Sequence, residues 1–190
     1  MMHRVLVGCL IGSAALSVLA VSSRAQPGSH AQHHPSESNS TMVKTPLSIA
    51  VEHRGLHEAL ERASKEQGAL GRAARELETA LSPHFRREEE IATPPLGLLP
   101  ALARGAASED MRAVLPMTDA LERELPQMLR EHEAFRAAVR RLREAAESAG
   151  RPDYVRFSDD LAAHAREEEE ILYPAALLVG RYVALMTAPK

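Results

Sequence analysis

Four histidines and two glutamates occupy positions that the pattern of this chain reserves for leucine or isoleucine. His84-Phe-Arg-Arg-Glu88-Glu-Glu-Ile91-Ala-Thr-Pro94 recurs 80 residues on as His164-Ala-Arg-Glu-Glu168-Glu-Glu-Ile171-Leu-Tyr-Pro174. Each copy is preceded by a Glu-His pair, Glu52-His53 and Glu131-His132, themselves 79 residues apart. One histidine on an apolar face is usually a hydrogen-bonded core residue. Four in one layer with two glutamates pose a harder electrostatic problem. Burying a carboxylate costs several kcal/mol unless it is paired, and imidazoles neutralise it only by taking up charge. Divalent metal satisfies all six groups together. Neutral imidazole and carboxylate suit iron, zinc or manganese, and two symmetrically placed carboxylates suit bridging between two ions. An ion-paired polar core without metal is the alternative.

The elements that must position these groups are four amphipathic helices, read from 3–4 spacing. The stripes run Ile49, His53, Leu56, Leu60, Ala63; then Leu70, Ala74, Leu77, Leu81, His84, Glu88, Ile91; then Leu121, Leu125, Met128, His132, Phe135, Val139, Leu142; and last Tyr154, Phe157, Leu161, His164, Glu168, Ile171. Gly68 and Gly71 separate the first two, and Gly150-Arg151-Pro152 the last two. Thr93-Pro94-Pro95 and Pro174 end the second and fourth. Residues 96–117 form a longer connection with a short helix around Glu109–Leu115. Pro83 and Pro126 either kink their helices or mark first turns. The midpoint of His53 and His84 falls at Gly68–Ala69, and that of His132 and His164 at Ser148. Antiparallel hairpins with these turns bring all four histidines into one layer of an all-α, up-down-up-down four-helix bundle, built as a pseudo-twofold hairpin repeat over residues 45–187.

The same periodicity sorts the remaining polar groups. Glu88 and Glu168 continue the core line from their histidines, whereas Glu89, Glu90, Glu167, Glu169 and Glu170 fall to the flanks as solvated charge, with Glu169 a lesser ligand candidate. Glu52 and Glu131 are surface charge by default, yet lie within reach of a ligand histidine as outer acceptors. His57, one turn beyond His53, is either a fifth nitrogen ligand or a helix-edge histidine; its repeat counterpart is Arg136, which cannot ligate.

The N-terminus reads as an export signal. Basic Arg4, an apolar run over Val5–Val21 and small residues at Ser23 and Ala25 predict a signal peptide over residues 1–25, and hence a periplasmic or secreted protein. Cys9, the sole cysteine, lies inside it, so the processed chain has neither disulfides nor thiolate ligands. Residues 26–44, rich in Ser, Pro, Gln and His, read as a disordered leader whose His30, His33 and His34 are solvated. With Arg4 and Arg24 removed, 21 basic residues face 26 acidic ones without a basic stripe, which excludes nucleic acid as the expected partner. No membrane association is expected after cleavage.

Over about residues 47–178 the chain resembles the haemerythrin-like (HHE cation-binding) family of di-iron four-helix bundles. Glu52-His53, His84-Phe85 with Glu88-Glu89, Glu131-His132, His164 with Glu168-Glu169, and both trailing prolines carry the likeness in order and spacing. The resemblance implies two non-haem iron ions, bridged by an oxo or hydroxo group and by Glu88 and Glu168, with His53, His57, His84, His132 and His164 as candidate nitrogen ligands. It implies O2 or another small diatomic or peroxide as the exogenous ligand. The oxygen-carrying members place a His-x-x-x-His pair on the third helix, where this chain has His132 and Arg136; here the pair is His53 and His57. The Glu-x-x-His of ferritin-like oxidases is missing. The leading expectation is therefore a non-enzymatic di-iron protein that binds O2 or senses oxygen, iron or nitric oxide. The alternatives are a di-iron enzyme acting on peroxide or nitric oxide, and a structural or metal-buffering bundle holding zinc. No output domain accompanies the four stripes, so sensing would require a partner protein.

Overall fold

The structure, a computed structural model, describes residues 43–189; the residues read as a signal peptide, and nearly all of those read as a leader, lie outside them. Six α-helices follow in order: α1 (Leu47–Ser64), α2 (Gly68–Ile91), α3 (Leu99–Leu102), α4 (Leu115–Ser148), α5 (Pro152–Glu167) and α6 (Tyr173–Met186). Among the described residues there is no strand. A π-helical turn, Glu168–Leu172, joins α5 to α6 into one continuous element. That element, with α1, α2 and α4, makes the four-helix bundle: α1 packs on α2 and α5, and α4 on α2, α5 and α6. No helix among the described residues is long and apolar enough to cross a membrane.

The apolar stripes face inward as their spacing requires. His53, Leu56, Leu60 and Ala63 are buried on α1, and Leu70, Ala74, Leu77, Leu81, His84 and Glu88 on α2. At the α4–α5 turn Gly150 takes φ +65°, while its N–H reaches the Glu147 carbonyl at 3.0 Å and that of Arg151 reaches Ala146 at 2.9 Å. This is a Schellman cap, which needs a residue free to turn left-handed, and Pro152 then starts α5 with φ already fixed. The two hairpin turns meet: Arg151 and Tyr154 donate to Glu66 Oε1 at 2.6 and 3.0 Å.

Several expectations are corrected. Gly71 lies inside α2 rather than in the turn; a Cβ there would stand 1.8 Å from the Glu66 carbonyl oxygen, so the close approach of the chain demands glycine. Of the two readings open for Pro83 and Pro126 the in-helix one holds, since both lie within helices. The expected short helix near Glu109 is present as a 3₁₀ turn, and the connection after α2 spans residues 92–114 rather than 96–117. It consists of 3₁₀ turns Pro94–Leu98 and Glu109–Val114 flanking α3, and α4 begins at Leu115. Pro174 does not end the fourth helix, which runs on to Met186. Ile171 is 57 % exposed rather than buried. The π turn adds a residue to the helical repeat, rotating Ile171 outward and bringing Tyr173, 1 % exposed, into the core.

The histidine layer is enclosed between apolar clusters. Leu77, Leu81, Phe85, Phe135, Leu142 and Leu161 belong to the cluster on the side of the hairpin turns. Leu96, Leu121, Met128, Tyr173 and Ala176 belong to a second, built around the opposite end. The polar groups between them are therefore held away from water.

Candidate metal centre

His53, His84, Glu88, His132, His164 and Glu168 are all buried in one layer, as the register argument requires. They form two four-residue groups whose ligand atoms lie within 4.8 Å of one another: His53, Glu88, His164 and Glu168; and His84, Glu88, His132 and Glu168. Each group takes one histidine from each hairpin, and the two share both glutamates. The oxygens of Glu168 face different groups. Oε1 lies 2.8 Å from His164 Nε2 and 3.6 Å from His53 Nε2, while Oε2 lies 3.4 Å from His132 Nε2. Glu88 Oε1 faces His84 Nε2 at 3.0 Å and His132 Nε2 at 3.8 Å.

The outer ring nitrogens meet a second set of carboxylates. His84 Nδ1 lies 2.8 Å from Glu131, His132 Nδ1 2.9 Å from Glu169, His164 Nδ1 3.2 Å from Glu52, and His53 Nδ1 3.7 Å from Glu89. A carboxylate only accepts, so at the three hydrogen-bonded rings Nδ1 carries the proton and the Nε2 lone pair points inward. The arrangement follows the repeat: Glu52 and Glu131 are equivalent, as are Glu89 and Glu169. Glu52 and Glu131 act on the histidine of another helix rather than on their sequence neighbour. Glu89 and Glu169, read from the sequence as flanking charge, complete the set. Their only signal was adjacency to a core glutamate in both repeats.

Four inward atoms, His53 Nε2, His164 Nε2, Glu88 Oε2 and Glu168 Oε1, are buried without a hydrogen-bond partner. His164 Nε2 and Glu168 Oε1 are 2.8 Å apart yet out of line for a hydrogen bond, an arrangement suited to two ligands of a common ion. His84 Nε2 and His132 Nε2 approach to 2.7 Å, lone pair towards lone pair, which requires a proton or a metal between them. Without metal the protons do this work. Burial pushes the His164 imidazole down, but Glu168, Glu52 and Glu88 outweigh it and raise it to about 9. His84 is raised on the same balance, burial against Glu88 and Glu131. Burial opposes ionisation of Glu88, yet His132, His84 and Tyr173 hold it far below the usual carboxylate range. The donor set, the orphaned atoms and the outer carboxylates fit a divalent metal pair.

His57 is not brought into either group. Its ring rests on Phe85 at 4.5 Å between centroids, its side chain is 40 % exposed, and its Nε2 lies 4.0 Å from Glu89, beyond the outer nitrogen of His53. Arg136 holds the equivalent place on the other side, binding both oxygens of Glu169 at 2.6 Å. Each is thus a cationic or polar group behind an outer carboxylate.

Tyr173 was not legible as a site residue. Its hydroxyl donates to Glu88 and lies 3.3 Å from His132 Nε2. Burial and the Glu88 and Glu168 charges raise its pKa strongly, so it stays a donor. The π turn delivers it, a device often found at functional sites.

Residues 48–176 match the family model described as the hemerythrin HHE cation binding domain, and the chain belongs to that family. Comparison with curated proteins finds no match, and comparison with solved structures finds none.

Proposed function

We propose that this chain is an exported di-iron protein that binds O2, or senses oxygen, iron or nitric oxide, through the buried His/Glu layer. The observation that carries the metal reading is the double role of the glutamates, each shared by two groups, with the Glu168 oxygens turned to different histidine pairs. A single-ion site in either group would leave two of the six buried ligands, both imidazoles, without a metal partner. His53 and His164 would hold one ion, His84 and His132 the other, and Glu88 and Glu168 both. When bound, such a pair supplies reversible electron transfer and coordination positions for a small exogenous ligand. The protein's own part is to fix the tautomers through Glu52, Glu131 and Glu169, to donate from Tyr173 to Glu88, and to exclude bulk water with the apolar clusters.

The set of two imidazoles and two shared carboxylates per ion is nitrogen-poor beside an oxygen carrier in which a further histidine stands where this chain has Arg136. That favours sensing or transient binding over long-lived carriage. The experiment is optical spectroscopy of the iron-loaded protein, with and without O2. A near-ultraviolet and visible spectrum that changes with O2 supports the reading. A zinc-only protein, silent in that region, would make it a structural or buffering bundle, and turnover of peroxide or nitric oxide would make it an enzyme.

A further inference from the structure

A cavity of about 270 Å³ opens beside the histidine layer, between α4 and α5 with α2 as its back wall. Its inner end is formed by His84, His132, His164 and Glu168. On α4 the lining continues from His132 through Phe135, Val139 and Arg140 to Arg143, 11 residues on, or about 16 Å along the helix. The volume decides what the cavity suits. Pockets for small organic molecules begin at roughly 300 Å³, whereas a diatomic gas fills about as much space as one water, on the order of 30 Å³. This cavity is far too large to have been shaped by O2 alone.

Its chemistry is divided. Leu81, Phe85, Phe135 and Leu161, all buried, make the walls next to the layer apolar. The outer lining includes four arginines, two of them already engaged: Arg136 by Glu169, and Arg143 by Asp159 at 2.9 Å and by Glu147. Arg140 and Arg166, on opposing helices and exposed, have no ion-pair partner among the described residues. An anionic head placed at this rim keeps its hydration and gains two guanidinium partners, while an attached apolar chain is removed from water along the inner walls. The reverse orientation would leave Arg140 and Arg166 unpaired and the apolar chain in water at the rim.

We infer that the cavity binds a small organic monocarboxylate, with its head on Arg140 and Arg166 and its aliphatic chain pointing to the histidine layer. The inference rests on the proposed metal centre only for what lies at the inner end; binding itself depends on the cavity and its rim.

Isothermal titration calorimetry of the full chain with octanoate, at low ionic strength and in metal-free and iron-loaded forms, tests it. Octanol and acetate, which separate chain from charge, serve as comparators. Octanoate should bind one per chain, about tenfold or more tighter than either. The double substitution Arg140→Glu and Arg166→Glu, at exposed positions that leave the fold intact, should remove the preference over octanol. Ala162→Trp, which fills the cavity from α5, should abolish binding of both. Equal affinity for octanoate and octanol in the native chain, no octanoate binding to either form, or a preference that survives the double substitution overturns the inference. Metal content measured on the same samples separates failure here from failure of the metal reading, because octanoate should bind even where iron does not.

Discussion

Glu131 on α4 lies 2.8 Å from His84 on α2, and thereby turns the other ring nitrogen of that histidine towards Glu88. The repeat reproduces the contact between Glu52 on α1 and His164 on α5 at 3.2 Å. The layer is thus tied across helices from outside as well as through its interior. Removing an outer carboxylate frees the ring to change tautomer. Glu131→Ala and Glu52→Ala should each weaken iron affinity by about 10–100-fold without unfolding the bundle. Competition with a chelator measures this, with exposed Glu90→Ala as control; affinities equal to the control would show these contacts to be surface pairing.

His57 should be dispensable for metal content. It stands on the outer side of His53, with Glu89 between the two imidazoles and Phe85 beneath its ring. His57→Ala is expected to retain the native metal count and ligand-field spectrum. A lost ion or a shifted spectrum would place His57 in the coordination shell.

The stripes as far as Glu168, the hairpin turns at Gly68 and Gly150, and the common height of the four histidines were legible in the sequence, because each depends only on periodicity and distance from a turn. Two features were not. Which outer glutamate serves which histidine depends on the rotation of neighbouring helices, and spacing along one helix does not encode it: Glu52 adjoins His53 yet serves His164. The π turn also left no mark. Glu168-Glu169-Glu170-Ile171-Leu172 has neither glycine nor proline within it, and the added residue follows from burying Tyr173 against Glu88 in place of Ile171.

Tyr173→Phe should keep the packing and remove one donor to a buried carboxylate. The metal-free chain is expected to lose about 1.5–3 kcal/mol of unfolding free energy, read from urea titration. A change within error would mean that Glu88 is satisfied without the hydroxyl.

The metal-free bundle should be pH-sensitive in a definite direction. His164, raised from 6.5 to about 9, and His84, also shifted upward from 6.5, stabilise the fold fully below pH 6.5 and lose that contribution as pH rises through their folded values. Glu88 and Glu131, both lowered from 4.5, contribute above 4.5 and fail only in acid. The melting temperature of metal-free protein should therefore be highest between about pH 5 and 6.5 and fall towards pH 9. Metal takes the place of the imidazole protons, so the alkaline fall should vanish in loaded protein and loading at pH 7 should release protons. A metal-free melting temperature that is flat from pH 6 to 9 would contradict this charge balance.

In the proposed centre Glu88 and Glu168 each serve two ions. Metal analysis of the full chain after anaerobic reconstitution with ferrous iron tests it most directly, alongside Glu168→Ala and Glu88→Ala. About two iron ions are expected per native chain and, because each glutamate belongs to both groups, loss of both ions rather than one in either variant. One ion or none in the native chain, or the native count in both variants, would contradict it.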